Sequence, residues 1–286
     1  MKNFAFILLS LVLVLISCKN EESVLQDIEQ PTSIQGYNML LIGNSFFRPY
    51  AEHLGAVVED AGIENHNTNL VFRGGENGRP INFWNDTTSD AHQEIKEILD
   101  QGGIEVFGMT AGLLPDNPID GFKEWIAYAL QNNPDITIFL SIPPIDFPAD
   151  WDQRAENNGF GSIEELYEYF INETVHQTLV DPLRAEFPST TIFTIPTGWA
   201  AFNLAQMQED NELEDEITLF GPKPTSIFTD PKGHQGQIVI EAGTLLWLNA
   251  IYNVDLDTNT YQTGFNTNLH ELAKQIMENH DNAYKQ

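Results

Sequence analysis

The sequence predicts an α/β protein, a three-layer α/β/α sandwich built around a mostly parallel five-stranded sheet. Three observations predict it. Five short runs are apolar enough to be buried on both faces, the mark of strands in a parallel sheet covered on each side. Between them lie stretches with apolar residues three and four apart, as crossover helices require. The 286 residues suit one large domain or at most two, and no internal repeat or low-complexity tract suggests another architecture.

The strands expected in order are Asn38–Ile42, Asn69–Phe72, Ile104–Met109, Ile136–Ile142 and Thr190–Ile195. Helical spacing marks Pro49–Ala61, Asp90–Asp100, Gly121–Gln131 and Ser162–Glu186. In the second of these, Ile95, Ile98 and Leu99 should face the sheet while Glu94, Lys96 and Glu97 stay in water. A further helix from about Gln235 to Ile251 should pack behind the preceding loop and hold it. Asn253 to Asn268 is polar, and Leu269 to Asn282 reads as a terminal helix.

Residues 1–17 stand apart from this domain. Lys2 supplies a short positive region, Phe4 to Ile16 is apolar except for Ser10, and Leu15-Ile16-Ser17-Cys18 closes the segment. The apolar run is shorter than the ~20 residues of a spanning helix. Cys18, the one cysteine of the chain, stands where a bacterial lipoprotein signal would be cleaved and lipidated. The expectation is therefore a signal peptide over 1–17, a flexible polar tether over 18–36, and a folded domain over 37–286 held to a membrane by acyl chains. That places the protein in the bacterial cell envelope, on the outer membrane, facing the periplasm or the surface.

The formal charge of −29, from 42 acidic against 13 basic side chains, argues against nucleic acid or an anionic membrane surface as the main partner. The densest acidic cluster, Glu209 to Glu216, reads as a solvated face.

Two short stretches carry the chemistry. Gly43-Asn44-Ser45-Phe46 follows the first strand and precedes a helix, so Ser45 should sit on a strand-to-helix turn outside the carboxyl end of the sheet. Asp230-Pro231-Lys232-Gly233-His234 supplies a histidine and a carboxylate, the groups that activate a hydroxyl nucleophile. The other histidines fall in polar surroundings: His53, His92, His176, His270 and His280 read as surface positions on helices, and His66 as part of a turn.

Together with the glycine-rich Phe72-Arg73-Gly74-Gly75-Glu76-Asn77-Gly78, followed by Trp84, these blocks resemble the SGNH/GDSL hydrolases, most nearly a bacterial subgroup with a G-N-S-[FY] start. The resemblance spans most of the mature chain and implies a flavodoxin-like fold with Ser45 as nucleophile, His234 as base and Asp230 as the orienting acid. It further implies that the amides of Ser45 and Gly75 form the oxyanion site. Where the family has an asparagine donor in its third block, Gly108-Met109-Thr110-Ala111 has a threonine. Either Thr110 substitutes, or Asn82 or Asn117 reaches in from a loop. The final block also departs, because Asp230 lies four residues before His234 instead of three. Either the Pro231 and Gly233 turn returns the carboxylate to the ring, or a backbone carbonyl orients His234 in a dyad. Asn44, Asn82 and Trp84 are the expected substrate contacts, and Trp84, Trp151 and Trp199 read either as core residues, the commoner place for such aromatics, or as a sugar-stacking platform.

No phosphate-binding glycine motif or zinc spacing occurs, and Asp255, Asp257 and Asn259 lack the glycine and glutamate of a calcium loop. No metal or cofactor is expected. The sequence thus points to an envelope-anchored serine esterase, with a small acyl group on a carbohydrate, such as an O-acetyl, as the substrate class the resemblance implies. The alternative is a carbohydrate-binding lipoprotein that keeps the fold with weak or lost catalysis. The sequence leaves open whether the stretch from Pro143 to Gly161, with its prolines, Trp151 and acidic residues, is a lid over the site.

Overall fold

Four consecutive apolar residues, Met39 to Ile42, have no polar side to offer water, and they form the fully buried centre of the first strand, β1 (Asn38–Gly43). The computed structural model describes residues 34–112 and 117–286. The expected signal, Cys18 and the tether up to residue 33 lie outside the described residues. The last tether residues are joined to the domain, since the Gly36 N–H donates to the Glu64 carbonyl at 2.6 Å.

The other strands fall where the apolar runs place them: β2 (Asn67–Phe72), β3 (Val106–Thr110), β4 (Thr137–Ser141) and β5 (Ile192–Ile195). All pairings among them are parallel, in the order β2-β1-β3-β4-β5, with Gly43 opposite Phe72 and Thr110 opposite Ser141. Every strand therefore ends on the same edge of the sheet. The order reverses direction at β1, whose neighbours are β2 on one side and β3 on the other, and this is where α/β sheets open a crevice.

Helices cover both faces. One layer contains α1 (Arg48–Asp60), α9 (Gln237–Tyr252) and α10 (Leu269–Asn279), with α1 and α10 each packed on α9. The other contains α2 (Pro80–Asn85), α3 (Asp90–Gln101) and α4 (Phe122–Ala129), packed on one another. Ser89 caps α3 by accepting the His92 N–H at 3.2 Å, and Ile95 and Leu99 are buried as their spacing requires. Helix α9 is buried on all sides except at Gln237 and Asn249, as expected of a helix without a polar face. Its Trp247 ring lies 4.9 Å from Phe47 and 5.1 Å from Phe139, and its indole N–H is satisfied by the Thr197 hydroxyl at 2.9 Å.

The long helical stretch divides into α6 (Ile163–Tyr169), a π-helical Phe170–Val180 and α7 (Asp181–Glu186). Pro182 has no N–H to return to the preceding turn, and its ring crowds the carbonyl four residues back, so the chain reaches it through a wider pitch. Three helices and a small sheet lie where the sequence analysis expected no element. Helices α2 and α5 (Trp151–Asn157) are shorter than one window of helical periodicity. Helix α8 (Trp199–Glu209) mixes Ala, Gln and Asn on several sides and shows no clean stripe. The parallel pair β6 (Thr218–Phe220) and β7 (Ser226–Phe228) has three residues per strand.

Three of the supposed surface histidines are interior. His92 is wedged between Trp84 and Trp125 with Nδ1 against the Phe83 carbonyl at 2.9 Å. His176 and His280 both meet the Thr194 hydroxyl, at 3.1 and 2.9 Å, and the His176 ring stacks on Tyr284 at 3.6 Å. Their polar sequence neighbours point outward, which is why local composition misplaced them. The acidic cluster is not uniformly solvated either. Asp215 accepts the N–H groups of Asn266 and Thr267 and the Thr267 hydroxyl, tying that segment to the loop before α10.

Candidate active site

Ser45 follows β1 by two residues. The turn is held by Asn44, whose carbonyl accepts the N–H of Phe47 at 3.2 Å and of Arg48 at 3.0 Å, and whose side-chain oxygen accepts the Phe46 N–H at 2.9 Å. Gly78 closes the turn from the other side. A Cβ there would run into the carbonyl oxygens of Arg73 and Gly43 and the Cα of Asn44, so no other residue lets the Arg73–Gly78 loop pass so close to the nucleophile turn.

His234 arrives from the far end of the chain, on the loop between β7 and α9. Thr229 N–H donates to the His234 carbonyl at 2.8 Å, and Gly236 N–H to the Ile227 carbonyl at 2.7 Å, so the loop is clamped at its base. The side chain of Gln235, buried, donates to the Phe46 carbonyl at 2.8 Å and fastens this loop to the Ser45 turn. The Phe46 ring stacks on the imidazole with centres 5.0 Å apart.

The result is a continuous chain of hydrogen bonds. Ser45 Oγ lies 2.8 Å from His234 Nε2, and His234 Nδ1 lies 2.5 Å from Asp230 Oδ2. A carboxylate only accepts, so the Nδ1 proton points to Asp230 and Nε2 presents its lone pair to the serine hydroxyl. The extra residue between Asp230 and His234 is absorbed by a turn in which Gly233 has φ +96°, a conformation that an L side chain rarely adopts. The Asp230 Oδ1 accepts the backbone N–H groups of Lys232, Gly233 and His234 at 3.0, 3.1 and 3.2 Å. Partial burial pushes the Asp230 carboxyl up, but hydrogen bonds from the His234 ring and from the backbone outweigh it and hold it below the usual carboxylate value.

A cavity of about 220 Å³ opens beside Ser45, whose sequence neighbours Asn44 and Phe46 both line it. Gly75 and Gly112 complete the near wall. The far wall comes from Pro143 to Asp146, Arg154, Leu166 and Phe170. The Pro143–Gly161 stretch is braced within itself and joined to the His234 loop. Phe147 N–H donates to the Lys232 carbonyl at 3.0 Å, Trp151 Nε1 to the Ile145 carbonyl at 2.9 Å, and Arg154 pairs with Asp146 at 3.0 Å.

Other expected site residues do not line the cavity. Thr110 is buried, its hydroxyl has no partner among the described residues, and it does not line the cavity; Gly112 stands there instead. Asn82 donates to the Glu76 carbonyl at 2.6 Å and props the turn that carries Gly75, while Asn117 donates to Asp120 at 2.6 Å. Trp84 packs edge-on against Trp125, 4.9 Å between centres, away from the cavity. Trp151 is buried against Phe202 and Phe228, and Trp199 packs on Tyr167. Residues that sequence reasoning passed over are Arg79, Arg154 and Lys232, three of 13 basic residues in a strongly acidic chain, gathered on one cavity. Their scarcity was the one signal that could have marked them.

Fold and site together define a parallel α/β/α sandwich that carries a serine–histidine–aspartate hydrogen-bonded chain at the carboxyl edge of its sheet. No family model and no curated protein matches the chain. Among solved structures, it shares its fold with a DUF4886 family protein from Bacteroides uniformis ATCC 8492, at 13% identity and a TM-score of 0.54, over 86% of this chain and 95% of that one. The periplasmic domain of the lipopolysaccharide acetyltransferase of Salmonella ser. Paratyphi A aligns over 76% of this chain and 83% of its own, at 16% identity and a TM-score of 0.42. That second likeness is too slight to bear on this chain.

Proposed function

We propose that this protein is a serine esterase of the SGNH/GDSL type that cleaves a carboxylic ester, carried on a bacterial envelope membrane by a lipid on Cys18. The observation that carries the reading is the unbroken Ser45–His234–Asp230 chain, at 2.8 and 2.5 Å. Ser45 Oγ attacks the ester carbonyl carbon while its proton passes to His234 Nε2, and Asp230 stabilises the imidazolium. The carbonyl oxygen becomes an oxyanion facing the amides of Ser45 and Gly75, and each such donor is worth about 2.7–4 kcal/mol. Collapse expels the alcohol, which takes the proton from Nε2. Water then attacks the acyl-enzyme by the same route in reverse and releases the acid. The complete proton path favours this over a binding lipoprotein that merely keeps the fold.

Asn44, on the cavity wall with its side-chain oxygen held by the Phe46 N–H, is the residue we assign as a substrate contact. A small acyl group on a carbohydrate remains the substrate class proposed. The test is fluorophosphonate labelling beside turnover of 4-nitrophenyl acetate. Wild-type protein should be labelled and active, and both properties should vanish in Ser45→Ala and His234→Ala. A folded wild-type protein that takes no label would overturn the assignment.

A further inference from the structure

Charge is distributed unevenly in this molecule. The chain carries −29, yet the cavity beside Ser45 is lined by three basic residues, Arg79, Arg154 and Lys232, against two acidic ones, Glu76 and Asp146. The acidic pair is already engaged. Glu76 pairs with Arg79, and Asp146 pairs with Arg154 at 3.0 Å. Lys232 has no ion-pair partner among the described residues.

The position of Lys232 is set by the catalytic loop itself. Its N–H donates to Asp230, its carbonyl accepts from Phe147, and its Nζ lies 5.9 Å from the centre of the Phe46 ring that stacks on His234. Lys232 is half-buried and lines the cavity together with the apolar Ile145, Leu166 and Phe170, and its Nζ stands over Phe46, another lining residue. A cation placed this way, in a cavity whose carboxylates are neutralised, attracts an anionic group and repels a cationic one. The apolar wall suits a short hydrocarbon or ring-carbon stem between that group and the ester.

Resting on the esterase reading above, we infer that the substrate carries a carboxylate or other single anionic group a few bonds from the scissile ester, and that Lys232 is the residue that reads it. The group comes either from the acyl side, as in a half-ester of a dicarboxylic acid, or from the alcohol side, as in an acidic sugar. Without such a contact, the overall negative field of the protein would make an anionic ester a worse substrate than its neutral counterpart.

The experiment compares kcat/KM for matched ester pairs on the full chain at low salt. For the acyl side the pair is mono-4-nitrophenyl adipate and its neutral adipamate. For the alcohol side it is 3-carboxyphenyl acetate and 3-carbamoylphenyl acetate. The anionic member of at least one pair should be favoured by about tenfold, the scale of one hydrogen-bonded charge contact. Lys232→Gln should bring that ratio to one or below, Lys232→Glu should take it lower, and Lys232→Arg should keep most of it. Whichever pair shows the preference identifies the side that bears the charge. Ser45-dependent turnover with no anionic preference in either pair, or a preference that survives Lys232→Gln, overturns the inference and leaves the esterase reading standing. Absence of Ser45-dependent labelling and turnover overturns both.

Discussion

Lowering the pH from 7 to 5 should cost this fold about 4 kcal/mol through two buried imidazoles alone. Burial, reinforced by the neighbouring His280, holds His176 down from 6.5 to about 3, and burial together with the Lys285 charge holds His280 down to about 4. The folded protein keeps both rings neutral, while the unfolded chain takes up their protons below 6.5. Stability is therefore full above that value and is lost progressively as the pH falls toward 4 and 3. Linkage gives about 2 kcal/mol per ring between pH 7 and 5, roughly 4 kcal/mol together, a large part of a typical 5–15 kcal/mol. His53, His66 and His270 are also held low by burial and act in the same direction. Urea unfolding at pH 7, 6 and 5, followed by tryptophan fluorescence, measures the loss. His176→Phe keeps a ring against Tyr284 and removes one titrating group, so its drop over the same interval should be smaller by about 2 kcal/mol. A wild-type protein that loses less than about 1 kcal/mol between pH 7 and 5 would show that these rings are not held neutral by the fold.

Four further outcomes are expected. Asp230→Asn should leave the protein folded and lower kcat by about 10²–10⁴-fold, since the imidazole loses its tautomer control; activity within tenfold of wild type would mean a dyad. Gly78→Ala should cost more than about 3 kcal/mol in urea unfolding or prevent folding, because the new methyl group meets backbone on three sides; near wild-type stability would contradict the packing. Thr110→Val removes a buried hydroxyl that has no partner among the described residues and should raise stability by about 1 kcal/mol with kcat kept within tenfold, whereas a hundredfold loss of kcat would put that hydroxyl in the oxyanion site. Cys18→Ala should move the protein from the membrane to the soluble envelope fraction, and retention on the membrane would count against a lipid anchor.

The sequence was most informative where a single physical pattern decides the outcome. Runs such as Met39–Ile42 and Ile138–Leu140 can only be buried strands, and all five appear within a few residues of their expected limits. The Ser45 turn was legible because strand, small residues and helix follow in order. What stayed hidden depends on contacts between distant residues. Nothing near Thr194 announces that His176, in the π-helical segment, and His280, just past α10, converge on it. The spacing of Asp230 and His234 left two geometries open, and the backbone at Gly233 decided between them. The placement of Trp84 turned on packing against Trp125 that no local pattern encodes. Short helices such as α2 and α5 fall below the length at which periodicity speaks.

The partners in the bond from Ser45 to His234 are 189 residues apart in the chain. A ribosome delivers the serine first and the histidine only when most of the polypeptide has been made, and Gln235 can clasp the Ser45 turn only once α9 has reached α1. Until that late event the hydroxyl is an ordinary alcohol with no base within reach. The Ser45–His234 contact thus forms only on completion of the fold, and a chain ending before His234 would lack the base that the proposed mechanism requires.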